Sequence, residues 1–330
     1  MNLMKALVCV EPGRFERIDR PRPESKPGHM RIRIGHVGIC GTDYHIYGGQ
    51  QPFLTYPRIM GHELSGRALE PSGDGRISTG DLVVLNPYLT CGECHACTIG
   101  KPNCCERIAV LGVHTDGGMC EEIVVPQVNV YSAEGLDEKA AAMVEFLAIG
   151  AHGVRRARIQ PDSRALVVGA GPIGIGAAIF ATIDGAKVTL RDTSASRLDL
   201  AAKALPQARL ELVGQETPSA YSTVFDATGN IKAMNAGLDW VAHGGAYVLL
   251  SVVKGDLNFA DPEFHKRETT LLASRNALKA DFEHVMANIR NGRVPVDVLA
   301  THETDFDEAV TNLPLWAEDR GALIKAIIRV

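Results

Sequence analysis

Over residues 1–145 the apolar positions come in short β-like runs, such as MRIRIGHVGIC at 30–40 and DLVVLNPY at 81–88. Turn signals separate them: Pro12-Gly13, Pro27-Gly28 and Ser72-Gly73-Asp74-Gly75. This pattern predicts an irregular, mostly β region. The pattern changes near residue 146. An apolar run at Ala165–Val168 meets a glycine turn, followed by a small-residue helix over Ile173–Ile183, a strand at Lys187–Leu190 and another helix. Further strands are expected at Thr223–Phe225, Ala246–Ser251 and Thr270–Ala273. Strands alternating with helices predict a doubly wound parallel sheet, so the fold class is α/β with a β-rich companion domain. A helix over Asp281–Asn291, the segment Leu299–Thr304, a short helix near Phe306–Leu313 and a last strand at Ala322–Val330 follow. That tail is expected to return to the N-terminal domain, so the chain crosses the boundary twice.

Length and composition narrow the classes. The 330 residues are 45% hydrophobic and 22% charged, enough for a sizeable packed core and against bulk disorder. Lys and Arg number 34 and Asp and Glu 39, a net charge of −5 that argues against a nucleic-acid partner. The N-terminal MNLMKALVCVEPG carries no signal-peptide pattern, and no apolar run reaches the roughly 18–20 residues of a membrane span. A cytoplasmic chain with no membrane partner is expected, and cytosolic thiols stay reduced.

Gly169-Ala-Gly171-Pro172-Ile173-Gly174 is GxGxxG, with a β-run before it and a helix after it. The first glycine permits the tight turn, the second lets backbone approach a pyrophosphate, and the third lets the helix pack on the strand. The helix dipole then favours the phosphates. Asp192 follows the next strand, where a carboxylate holds the adenosine ribose and repels a 2′-phosphate. The loop therefore predicts a dinucleotide, NAD over NADP, although Arg191 and Arg197 flank that carboxylate.

Five of the eight cysteines fall in CGECHACTIGKPNCC at 91–105. In a reduced compartment such crowding points to a metal or to redox chemistry rather than to disulfides. The spacing C-x2-C-x2-C also begins an iron–sulfur run, but the next cysteine comes too late and no proline follows it. The pattern predicts a closed structural zinc site at Cys91, Cys94, Cys97 and Cys105, with Cys104 a bystander. Cys9 and Cys120 read as buried small hydrophobes.

A second constellation lies in GICGTDYHIYGG, which supplies Cys40, and in Gly61-His62-Glu63. A catalytic zinc needs an incomplete ligand set and an open position. Cys40 and His62 suit it, and Glu63 or Glu145 can complete it.

Taken together, Gly38-Ile39-Cys40-Gly41-Thr42-Asp43, Gly61-His62-Glu63, the cysteine lobe, Val144-Glu145-Phe146 and the glycine loop resemble the zinc-dependent medium-chain alcohol/polyol dehydrogenases over essentially the whole chain. The resemblance implies a GroES-like catalytic domain over 1–146 and 275–330, with a zinc lobe at about 88–106. It also implies a Rossmann NAD-binding domain over 147–274 and a homodimer or homotetramer; the apolar run Ala246–Val253 reads equally well as the edge that joins subunits or as a buried central strand. Cys40, His62 and Glu63 would lie at the catalytic zinc. Glu145 stands where alcohol-specific members carry cysteine, which resembles the sorbitol, xylitol and threonine dehydrogenase branch. Thr42 would take the substrate proton, His45 would pass it to solvent, and Asp43 would orient a zinc-bound histidine. YPRIMGHE at 56–63, AVLGVHTDGG at 109–118 and ASRNA at 273–277 look closest to dehydrogenases acting at C5 of L-gulonate or L-galactonate. On that match Arg275 and His114 are substrate candidates, the arginine suited to a carboxylate.

The expected activity is therefore NAD-dependent oxidation of a secondary alcohol on a sugar acid or polyol, in a cleft that excludes water. Polyol and L-threonine dehydrogenases are the alternatives within the class. A zinc-free quinone reductase conflicts with the Cys/His/Glu set, and a nucleotide-sensing regulator would have no use for the Thr42/His45 relay.

Overall fold

The computed structural model describes residues 3–51, 54–214 and 220–330. The chain separates into two units, Met1–Glu145 with Met286–Arg290 and Leu299–Val330, and Phe146–Val285 with Asn291–Val298. Residues 275–285 and 291–298 thus group with the second unit rather than with the first. The reason lies at the helix Lys279–Arg290: Asp281 near its start is buried and accepts from His152 Nδ1 (2.9 Å), Arg155 Nη2 (2.9 Å) and the backbone N–H of Leu278 (2.7 Å). Among the described residues no helix is long and apolar enough to cross a membrane.

The first unit is built on a seven-stranded sheet. Its path runs Val130–Ser132, Leu82–Leu85, Glu63–Ala68, His29–Ile39, Lys325–Arg329 and Ala300–Asp305, with Glu122–Pro126 also pairing with His29–Ile39. The strand His29–Ile39 begins with clean alternation: Met30, Ile32 and Ile34 are buried while Arg31 and Arg33 point outward. Its last residues, Val37, Gly38 and Ile39, are buried continuously, so both faces of the sheet are covered there. There Gly38 lies opposite Glu63 and beside Ile327, so three strands meet at one point. A side chain at Gly38 would meet Glu63 Oε2 at 2.2 Å, so glycine is what admits the glutamate. The expected helix near Phe306–Leu313 runs instead over Ala309–Glu318 and continues through Pro314, and the last strand starts at Lys325 rather than Ala322.

The second unit is a six-stranded parallel sheet in the order Arg209–Leu212, Lys187–Asp192, Arg164–Val168, Tyr221–Asp226, Val241–Leu249, Thr270–Ala273. The helices Pro172–Ile183 and Ala195–Ala204 connect its strands, as the alternating pattern requires. Leu166, Val168, Val224 and Tyr247 are buried together in its core. Each such side chain contributes about 1.5–3 kcal/mol by leaving water. The run Ala246–Val253, a candidate oligomer edge, is largely an inner strand, paired with Tyr221–Asp226 and with Thr270–Ala273. Thr270–Ala273 itself forms the edge.

Candidate functional sites

In the cysteine lobe the structure gathers Cys91, Cys94, Cys97 and Cys105, as the spacing predicts, and leaves Cys104 exposed. Four Sγ···Sγ separations are 3.5 Å (Cys94–Cys97), 3.5 Å (Cys91–Cys105), 3.9 Å (Cys94–Cys105) and 4.0 Å (Cys91–Cys97). A disulfide needs about 2.05 Å. Four sulfurs at about 2.3 Å from one tetrahedral ion stand about 3.8 Å apart. Backbone N–H groups of Glu93 and Cys94 pull the Cys91 thiol down to about 6, and those of Glu106 and Cys97 lower Cys94. Burial, with the neighbouring thiols, pushes Cys97 up to about 12. Four thiolates cannot share this space without a cation, so the donor set fits zinc.

The second cluster is assembled by two strand ends and two helix starts of the first unit. Cys40 caps the helix Gly41–Tyr47, its Sγ accepting from the Thr42 N–H at 3.2 Å, while Asp43 Oδ2 accepts from the Cys40 N–H at 3.0 Å. His62 Nε2 lies 2.9 Å from Cys40 Sγ, and its Nδ1 faces Asp43 Oδ1 at 3.8 Å. Cys40, His62 and Glu63 offer ligand atoms within 4.8 Å of one another. Glu145 opens the helix Val144–Ala157 and accepts from the Tyr88 hydroxyl through Oε1, while its Oε2 is buried with no partner. Burial lowers the His62 pKa, but the Cys40 and Asp43 charges, the Cys40 hydrogen bond and Glu145 outweigh it and hold the imidazole well above its ordinary value. Burial and the Glu63 charge raise Glu145 to about 7, against the pull of His62. A buried knot of anionic donors with orphaned Glu145 Oε2, Asp43 Oδ1 and His62 Nδ1 fits a divalent cation.

Lys325 and Tyr88 are the participants that sequence reasoning missed. Lys325 is fully buried and its Nζ donates to Glu63 Oε1 (2.7 Å), Glu63 Oε2 (2.6 Å) and the Ile39 carbonyl (3.1 Å). A lysine opening the otherwise apolar run KAII was the available signal. Thr42 is half-buried and His45 exposed on the same short helix. Burial, with the nearby Arg320 charge, lowers the His45 pKa.

The glycine loop of the second unit has the shape expected of it. Gly169 has φ +102°, and a side chain at Gly174 would strike the Gly169 carbonyl at 1.8 Å. Gly171, by contrast, faces open space. Pro172 starts the helix, Gly171 provides no side-chain cap, and the N–H groups of Ile173 and Gly174 lie in its first turn. Asp192 Oδ2 accepts from the Ala170 N–H (2.7 Å) and Oδ1 from the Ser194 N–H (2.8 Å), leaving each oxygen a lone pair. This cradle fits a dinucleotide. Arg191 is turned away from it: the guanidinium is buried, bonds Glu211 Oε2 at 2.7 and 3.2 Å, and lies 4.6 Å over the Trp240 ring. Arg197 stays half-buried on the first turn of Ala195–Ala204.

The two substrate candidates are exposed. Arg275 follows the edge strand of the second unit. His114 Nδ1 accepts from the Val110 N–H at 3.1 Å, within its own turn.

The chain is similar to known proteins over nearly its whole length. Residues 26–135 match the alcohol dehydrogenase GroES-like domain, and residues 172–291 match the zinc-binding dehydrogenase domain. The chain is 42% identical over 341 aligned positions to an L-galactonate-5-dehydrogenase of Escherichia coli (strain K12), covering 99% of each chain. It is 30% identical to a 2-dehydro-3-deoxy-L-galactonate 5-dehydrogenase of Pseudoalteromonas atlantica, covering 81% of this chain and 82% of that one. The solved alcohol dehydrogenase rspB of Escherichia coli CFT073, complexed with the cofactor NADH, superposes with TM-score 0.92 at 27% identity over all of both chains. The chain therefore belongs to the zinc-dependent medium-chain alcohol/polyol dehydrogenase family of oxidoreductases.

Proposed function

We propose that this protein is a zinc-dependent, NAD-linked dehydrogenase that oxidises the C5 hydroxyl of an L-aldonate such as L-galactonate or L-gulonate. The observation that carries this reading is the cluster of half-buried Cys40 with buried His62 and Glu63, beside which the buried Glu145 feels the His62 and Glu63 charges and keeps one carboxylate oxygen unpartnered. The similarity to a relative named L-galactonate-5-dehydrogenase supports the substrate class.

Zinc held by Cys40, His62 and a carboxylate supplies Lewis-acid activation of the substrate hydroxyl. Glu145 Oε2 has no partner, whereas both Glu63 oxygens accept from Lys325, whose charge already offsets that carboxylate. The Asp43 carboxylate faces the far nitrogen of His62 at 3.8 Å, where its charge favours the ring orientation that keeps Nε2 toward Cys40. Thr42 accepts the hydroxyl proton and His45 delivers it to water. NAD, held by Gly169, Gly171, Pro172, Ile173 and Gly174, supplies the hydride acceptor. Asp192 takes the adenosine ribose hydroxyls, and the engagement of Arg191 by Glu211 removes one cation that a 2′-phosphate would need. Arg197 contacts the adenosine end. Arg275 pairs the substrate carboxylate, with His114 nearby in role. Four thiolates at Cys91, Cys94, Cys97 and Cys105 hold a structural zinc.

The active form is a cytoplasmic homodimer joined through the edge strand Thr270–Ala273, a reading supported by the 36% exposure of Leu271 there. Steady-state rates on L-galactonate, L-gulonate, sorbitol, xylitol and L-threonine, each with NAD and NADP, test the assignment. Preference for an aldonate with NAD is expected. Preference for a neutral polyol or for threonine discards the carboxylate pocket, and preference for NADP discards the role of Asp192.

A further inference from the structure

His45 sits in the last turn of Gly41–Tyr47, beside Tyr44. The carboxyl end of a helix favours a protonated imidazole. That is the wrong bias for a group that must accept a proton and then lose it. The same unit supplies an opposing charge. Arg320 lies beyond the helix Ala309–Glu318, which packs on Gly41–Tyr47, and its guanidinium carbon stands 5.3 Å over the Tyr44 ring centroid. Arg320 is exposed and forms no ion pair among the described residues. It is therefore a cation held in place by an aromatic face rather than neutralised by a carboxylate.

The other charged groups near this helix do not do the same work. The strand Leu3–Glu11, which also packs on it, carries Lys5 and Glu11. The helix Ala309–Glu318 and its exit carry Glu318 and Asp319, and Gly41–Tyr47 itself carries Asp43. Among the described residues, the charge that adds to burial in lowering the His45 pKa is that of Arg320, whereas Asp43 acts on Tyr44.

We propose that Arg320 is a positioning residue of the proton exit, its guanidinium charge expelling to solvent the proton that His45 receives. The proton balance is simple. The substrate O–H bond breaks, its proton passes through Thr42 to a His45 ring nitrogen, and the N–H so formed is lost to water before the next turnover. Arg320 gives and takes no proton. It acts by making the protonated ring the unfavourable state. The inference rests on the relay role of His45 given above.

The test measures the His45 ring titration by NMR in the zinc-loaded enzyme, assigned with His45→Gln, alongside the pH profile of kcat/KM. In Arg320→Gln the His45 midpoint moves to higher pH, and the acid limb of the profile moves with it. The loss of rate is confined to the acid side. In Arg320→Lys both return toward wild type, because the charge is kept. A His45 midpoint that does not move in Arg320→Gln overturns the role of Arg320. So does a midpoint that moves as far in Arg320→Lys, because that result assigns the effect to packing. A midpoint that moves while the acid limb stays in place removes the relay reading and the proton exit with it.

Discussion

Lys325→Met should destabilise the first unit by about 3–5 kcal/mol, the cost of leaving a buried carboxylate without its cation. The structure sets that scale. Lys325 and Glu63 are both fully buried, and Nζ reaches both carboxylate oxygens at 2.7 and 2.6 Å and the Ile39 carbonyl at 3.1 Å. Methionine fills much of the space but donates nothing, so Glu63 keeps the whole desolvation penalty. Urea unfolding can be read in this unit alone. The chain has two tryptophans; Trp316 lies in the helix Ala309–Glu318 of the first unit and Trp240 in the second, so a Trp240→Phe background leaves one reporter. The midpoint should fall by about 1–2 M. Lys325→Met/Glu63→Leu should recover most of the loss, since an apolar pair replaces an ionic one at little cost. A single-variant shift below about 0.3 M would refute the reasoning, because it means the pair is solvated or unformed.

Other outcomes follow from the same geometry. Cys94→Ser should lose one zinc per chain and lower the unfolding temperature while His62 and Cys40 keep theirs, as metal analysis with calorimetry will read. Glu145→Gln should lower catalytic-site zinc retention against a chelator more than Glu63→Gln, because only Glu145 has an oxygen without a partner; the reverse order makes Glu63 the ligand. Zinc uptake at that site should strengthen as pH rises through about 7. Burial raises Glu145 to about 7, so below that pH its bound proton competes with the metal and above it does not. Chelator competition between pH 6 and 8 checks the sign.

What the sequence disclosed and what it hid follow from distance along the chain. The glycine loop and the cysteine lobe are local: turn, helix start and thiolate donors all lie within one short segment, so residue type and spacing carry the geometry. The Cys40/His62 pairing spans 22 positions but is marked by two compact motifs. Lys325 is 262 positions from Glu63, and only the three-strand junction at Gly38 joins them. The local hint, a lysine opening the apolar run KAII, marks the residue but does not name its partner. Arg191 was misjudged as a cation beside the ribose carboxylate for a different reason. Neighbouring residues on a strand face opposite sides, so Asp192 turns to the glycine loop while Arg191 turns to Glu211 and Trp240. A helix ending near Leu313 would stop ahead of Pro314, which normally disfavours the helical conformation of the residue before it, but the helix continues through Pro314 to Glu318. Residues 275–285 were given to the first unit because nothing local announces the burial of Asp281 against His152 and Arg155.

The most direct test of the account is NADH formation from L-galactonate and NAD by the zinc-loaded wild type and by His62→Ala, with zinc counted in both. The account predicts turnover by the wild type, and a folded His62→Ala protein that keeps its structural zinc, lacks the second zinc and forms no NADH. Turnover by His62→Ala near the wild-type rate would contradict the metal assignment, and a fully zinc-loaded wild type that forms no NADH would contradict the substrate.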